Sequence, residues 1–265
     1  MSEPPSMLHD LYYYPVKGLS PQPLPRAALL TGQTIDCDRR YAVENGPSGF
    51  DPEAPAHLPK QRFLMLMRNE RLARLKSVFD TNTHALAIEF EGREVVRGDL
   101  RTRAGRAAVE RFLGDYCADE LRGAPRVLSA PGHSFSDVSR KVVSIINLAS
   151  VRAIETVMGT KVDPLRFRAN LYVEGWPAWH EFTLLGRTVK VGQAAEIRIV
   201  KRILRCAATD VDPQTGERDL AIPRNLSAAF GHGDCGVYGE VVKSGEIAVG
   251  DRVATAGPQA PAGPR

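Results

Sequence analysis

The chain has 265 residues, 43% of them apolar, and 35 Lys and Arg against 31 Asp and Glu give a formal net charge of +4. That apolar fraction supports a packed core and excludes global disorder, in one large domain or two ordinary ones. The positive charge is mild and scattered, which argues against a nucleic-acid binder but suits a small anionic ligand.

Residues 1–7 are polar and Pro-rich and read as loose, with no secretory leader pattern in MSEPPSMLHD. Leu8 to Val16 is aromatic-rich and reads as a strand ending in Tyr14-Pro15-Val16-Lys17-Gly18, where Gly18 permits a turn or a close backbone approach. Ala27 to Tyr41 offers two short strands, the second running out in Cys37-Asp38-Arg39-Arg40-Tyr41. Gly46 to Pro59 is loop by its Pro and Gly content. Glu70 to Val78 suits a short helix, and Thr83 to Val96 a hairpin turning at Glu91-Gly92. In Arg103 to Cys117 the residues Val109, Phe112, Leu113 and Tyr116 recur at helical spacing. A domain boundary is expected after that helix, dividing the chain into 1–117, 118–254 and a disordered tail, 255–265.

In the second part, Arg126 to Leu128 and Val142 to Asn147 read as strands, PGHSFSDVSR (131–140) as a loop and Ser150 to Met158 as a helix. Pro164 to Gly175 alternates, which predicts a strand with Arg166, Arg168 and Asn170 on one side. Further strands are expected at Thr188–Val191 and Ala195–Cys206, a helical turn at Pro223–Phe230, and a closing pair, Val237–Val242 with Glu246–Val253. Strands outnumber helices, so the fold class is α+β, strand-rich and barrel-like rather than doubly wound.

Cys37, Cys117, Cys206 and Cys235 lie far apart and form no zinc spacing. A disulfide scaffold is not expected, and a reducing, cytoplasmic setting is. No apolar run is long enough for a membrane span. Cys206 follows Arg205, with Lys201 and Arg202 close by; neighbouring cations favour the nucleophilic, metal-binding thiolate. A Pro/Gly turn, Asp210-Val211-Asp212-Pro213-Gln214-Thr215-Gly216, comes next. A lone cysteine taken by itself is more often a small buried core residue. Gly231-His232-Gly233-Asp234-Cys235-Gly236 matches a dinucleotide fingerprint, but a helix-like piece precedes it and a strand comes after, the reverse of what phosphate binding needs. His180-Glu181 stands alone and reads as surface. Lys17, Arg40, Ser139, Arg168, Asn170, Arg205 and Cys206 remain as separated polar anchors that would together suit a phosphorylated ligand carrying a metal.

Those residues sit in a familiar series. YPVKG (14–18), DRRYAV (38–43), FRANLYVEG (167–175), RCAATDVDPQTGE (205–217) and GVYGEVVKSGEIAVGD (236–251), in this order, resemble the MOSC-domain family, the molybdenum cofactor sulfurase C-terminal domain. Its usual N-terminal β-barrel domain precedes it, and the arrangement is similar to the mitochondrial amidoxime-reducing components and their bacterial relatives. The resemblance implies a molybdenum–molybdopterin cofactor, with Cys206 as the metal ligand. It also implies that Lys17, Gly18, Arg40, Ser139, Arg168, Asn170 and Arg205 form the cofactor cradle. Gly18, Val138 and Leu204 depart from the pattern, each standing where the reductases carry a hydroxyl residue.

The same resemblance implies a molybdenum-dependent oxidoreductase that reduces N-hydroxylated small molecules. Asp210 and Asp212 are candidates for proton relay or for shaping the turn. The chain has no flavin, nicotinamide or iron–sulfur signature, so electrons are expected from a separate cytochrome b5-, ferredoxin- or flavin-reductase-like donor. The alternative is a cofactor carrier or sulfur-transfer module using Cys206; a third is a ligand-binding barrel with a structural Cys206.

Overall fold

The computed structural model describes residues 6–255. Of the expected loose stretch 1–7, Ser6 and Met7 instead open the first strand, and Thr255, expected in the tail, ends the last one; the rest of both stretches lies outside the described residues. Seven strands close into a barrel. Going round, Ser6–Tyr13 pairs with Leu171–Glu174, which runs parallel to Val143–Asn147. Asp234–Lys243 is next, then Ala195–Leu204, Thr188–Val191 and Arg252–Thr255, which returns to the first strand. Closure leaves no edge to template aggregation. The reason these segments are strands is visible in Ala195–Leu204, where Ala195, Ile197 and Ile199 alternate inward. Their inward faces meet Leu8, Leu11, Val173, Val189, Val237 and Val253 in one apolar core.

The parallel pair needs a crossover, and helix Leu148–Met158 supplies it. Asn147 caps this helix by accepting from Ala149 N at 3.0 Å, and Gly159 ends it in the left-handed conformation. Its Val151 and Ile154 pack with Ile222 and Leu226 of helix Ile222–Phe230 and with Cys235, outside the barrel. A helix therefore precedes the Gly231–Gly236 run, and a strand starts within it at Asp234.

The N-terminal part adds a three-stranded sheet, Lys76–Phe79, Ala85–Phe90 and Arg93–Asp99, covered by helix Arg103–Tyr116. That helix starts at Thr102, whose hydroxyl accepts from Gly105 N, and buries Val109 and Leu113. It lies so close that a Cβ on Gly105 would sit 2.2 Å from Asp99 O. Leu72, Leu86 and Val109 join the same apolar cluster as the barrel interior. No described helix is long and apolar enough to cross a membrane.

Several expected elements differ. The second short strand before Tyr41 is a turn, because Cys37 and Arg39 take φ of 59° and 51°. Glu70–Arg74 is one 3-10 turn, and Lys76–Phe79 leaves it to pair as a strand. Pro164–Phe167 is likewise a 3-10 turn capped by Asp163, and Arg168, at φ 50°, turns the chain into Leu171–Glu174. The expected closing pair does not pair with itself: Gly245–Ala248 runs against Arg26–Leu29, and Arg252–Thr255 enters the barrel. Glu181 is buried, accepting from Asn147 Nδ2 (2.9 Å) and Ser150 Oγ (2.8 Å), so it is no surface residue. The first strand pairs with Leu171–Glu174 and Arg252–Thr255 to complete the barrel.

Candidate functional site

At the end of strand Ala195–Leu204 the chain leaves the barrel and Cys206 begins a 3-10 turn, Ala207–Asp210. Thr209 secures the turn, its N and Oγ1 each donating 3.0 Å to the Cys206 carbonyl. The thiol is half-buried in a cleft of about 280 Å³, into which Lys60 Nζ donates 3.2 Å to Sγ. The other three cysteines are buried in the apolar core, which pushes Cys37 up to about 11 and Cys117 and Cys235 up to about 12.

The cleft is strongly cationic. Lys17, Arg39, Lys60, Arg166, Arg168, Lys201, Arg202 and Arg205 line it against only Asp38 and Asp137. Asp38 receives Arg39 Nη1 at 2.6–2.7 Å. Asp137 accepts from Lys17 Nζ and lies 3.6 Å from Lys60 Nζ. Burial alone would push the Asp137 carboxyl up, but Lys17 and Lys60 outweigh it and hold it well below the usual range. Burial pushes Lys17 down despite Asp137.

Arg166 pairs with Asp212 (3.0 Å) and Asp219 (2.7 Å), whereas Arg168 and Arg205 pair with no acid among the described residues. Arg168 is pushed below its ordinary value by burial, and Arg39 adds to the shift; its guanidinium donates to Leu19 O at 2.8 Å. Arg205 spends Nε on Cys235 O (2.7 Å) and Nη1 on Phe167 O (2.8 Å), and its buried Nη2 has no partner. A buried unpaired donor is costly, so an acceptor is wanted there. Asn170 sits in the cleft with its side chain committed: Oδ1 accepts from Ser144 N and Oγ, and Nδ2 donates to Tyr12 O.

Lys17, Gly18, Arg168, Asn170, Arg205 and Cys206, scattered in sequence, thus meet in one cleft. Four other candidates do not line it. Arg40 lies near enough to Cys37, Tyr41 and His84 for its charge to lower their pKa values, and its neighbour Arg39 takes the cleft position. Ser139 is exposed; from its loop Ser136, Asp137 and Val138 reach the cleft. Asp210 accepts from Ile222 N at 2.8 Å, starting the last helix, and burial pushes its carboxyl up. Asp212 accepts from Gln214 N and Thr215 N and from Arg166 Nη2 (3.0 Å), which places both acids in the turn behind the thiol. Arg39, Lys60 and Asp137 are what sequence reasoning missed. The DRRY run pointed to the right pair of arginines but not to which one, and Lys60 ends a loop without periodicity.

The MOSC domain matches residues 128–254, and the MOSC N-terminal beta barrel domain matches 6–119. The chain belongs to the MOSC family. Solved structures are similar at low identity. The YUAD protein from Bacillus subtilis is 13% identical over 94% of both chains, with a TM-score of 0.44. YiiM from Geobacillus stearothermophilus is 18% identical over 43% of this chain and 54% of its own, with a TM-score of 0.34. No curated protein matches.

MOSC domains are linked in general to the molybdenum cofactor, and this MOSC cleft fits such a group. Its cation excess suits a pterin phosphate, Arg205 Nη2 awaits an acceptor, and Cys206 offers a soft ligand. No group of three or more His, Cys, Asp or Glu side chains that could hold a metal gathers among the described residues, so what the cleft offers a metal is the Cys206 sulfur amid cations.

Proposed function

We propose that this protein is a molybdenum-cofactor oxidoreductase that reduces N-hydroxylated small molecules with electrons from a separate redox protein. The observation that carries this is the accessible Cys206 thiol at the edge of a cationic cleft lined by Arg205, one of whose guanidinium nitrogens is buried without a partner. Arg168 and Arg205 would hold the cofactor's phosphate and pterin, with Lys17 and Arg39, which lies beside Arg168, adding charge. Cys206 would bind the metal. Molybdenum supplies two-electron chemistry when bound, and the chain's share is orientation and electrostatics.

The residues divide the work. Asp38 and Asp137 hold Arg39, Lys17 and Lys60 in place. Asn170 ties the Val143–Asn147 strand to the end of the first strand through Ser144 N and Tyr12 O, fixing the floor on which Arg168 sits. Asp210 and Asp212 brace the turn that presents Cys206.

The test is expression in a host that makes the pterin cofactor, then metal analysis and assay of amidoxime reduction with a one-electron donor protein. Bound molybdenum and donor-dependent reduction, both lost in Cys206→Ala, are expected. Turnover with NADPH alone refutes the need for a partner. Bound cofactor without reduction under any donor favours a carrier or sulfur-transfer role for the same cysteine.

A further inference from the structure

Lys60 arrives at the cleft from a Pro-rich loop and is pinned there on two sides. Its Nζ donates 3.2 Å to Cys206 Sγ and lies 3.6 Å from Asp137 Oδ2. Asp137 Oδ1 accepts from Lys17 Nζ, which also donates 3.0 Å to Phe135 O. The Lys60 side chain is 26% exposed, so this lysine is not a freely solvated one. Ordering a long side chain costs entropy, and here the return is a contact with a sulfur.

We propose that Lys60 tunes the metal centre through the ligand sulfur: its ammonium donates a charge-assisted hydrogen bond to Cys206, and Asp137 is the positioning residue that keeps it there. This rests on the reading of the cleft as a molybdenum-cofactor site. A thiolate has more than one lone pair, so metal ligation leaves sulfur able to accept from Lys60. A hydrogen bond to a ligand sulfur draws electron density from it, and such bonds help set the potential of thiolate-ligated centres. An electron taken up by a bound centre would make it more negative, and a fixed cation next to the sulfur would stabilise that state. Lys60 therefore makes the centre easier to reduce.

The test is a dithionite titration of the cofactor-loaded chain, read by its midpoint potential and sulfur-to-metal absorption band, with molybdenum content measured alongside. In Lys60→Met the midpoint moves to lower potential and the band shifts. Lys60→Gln, which keeps a donor without the charge, moves less, and Lys60→Arg returns towards wild type. Asp137→Asn is read by the band, which moves part of the way because Lys60 loses its anchor; its midpoint also feels the loss of the carboxylate charge, which acts in the opposite direction. Should Lys60→Met fail to hold metal, Lys60→Gln decides. Loaded variants with the wild-type midpoint and band overturn this inference alone. A wild-type chain without molybdenum overturns the cofactor assignment and this inference with it.

Discussion

Arg39 and Arg168 share one ring: their guanidinium carbons lie 4.3 and 4.5 Å from the centroid of Tyr14, and Arg39 Nη2 donates 2.8 Å to the Arg168 carbonyl. The two cations are not equivalent. Arg39 is neutralised by the buried Asp38, whereas Arg168 leans on a ring and a carbonyl. Arg39→Met strands Asp38 in the interior and is expected to cost about 3 kcal/mol. Arg168→Met removes an uncompensated buried cation, so stability should hold or rise while molybdenum content falls. Thermal denaturation with metal analysis checks both. Equal destabilisation by the two changes contradicts this division between a structural and a ligand-holding arginine.

The cysteines should separate chemically. Only Cys206 reaches the cleft, and burial keeps the other three protonated at neutral pH. Iodoacetamide on the metal-free native protein should modify one thiol, against all four in denaturant, as counted by mass spectrometry. The Cys206→Ala protein should then show none in the native state. Rapid native labelling of Cys235 or Cys117 sinks this.

Restoring the hydroxyl that Gly18 lacks should be harmful. Gly18 has φ +87°, and a Cβ there would lie 2.8 Å from Leu64 O, a backbone atom that cannot swing away. Gly18→Ser therefore combines a left-handed strain with a clash, for roughly 2 kcal/mol or more. Gly32 has a similar φ of +70° with open space around it, so Gly32→Ser isolates the strain alone, at about 1 kcal/mol. Chemical denaturation of the pair measures the difference. Equal losses mean that the backbone at 18 adapts and that a side chain there is compatible with this cleft.

Much of the architecture could be read from periodicity. The alternating Ala195–Leu204 strand, the capped helix Leu148–Met158 and the amphipathic Arg103–Tyr116 carry their own signals. What could not be read is pairing at a distance. Nothing local in Ser6–Tyr13 says that it joins Leu171–Glu174 and Arg252–Thr255, and nothing in Gly245–Ala248 says that it seeks Arg26–Leu29. Convergence of the cleft obeyed the same rule. Cys206 stood out by its basic neighbours and the turn behind it. The choice between Arg39 and Arg40 depends on left-handed dihedrals at Cys37 and Arg39, and Pro and Gly are the residues whose dihedrals a sequence displays openly. Glu181 looked exposed because its partners, Asn147 and Ser150, lie on a neighbouring segment.

The Lys17–Asp137–Lys60 cluster sets an acid limit on stability. Asp137 has a folded pKa below its ordinary value of 3.8: burial opposes its charge, but Lys17 and Lys60 overcome that. A depressed carboxylate contributes stability above its unfolded pKa and loses it as pH falls towards the folded one. Protonation also leaves the buried Lys17 facing Lys60 and Arg39 without an anion, which adds repulsion. In Asp137→Asn the contribution is missing at every pH. The wild type should therefore exceed the variant in denaturant resistance at about pH 7, and the gap should close as pH falls below about 4. Urea denaturation of both proteins across that range measures the gap. A gap that stays constant into acid shows that Asp137 acts through hydrogen bonding that an amide cannot replace, rather than through its charge.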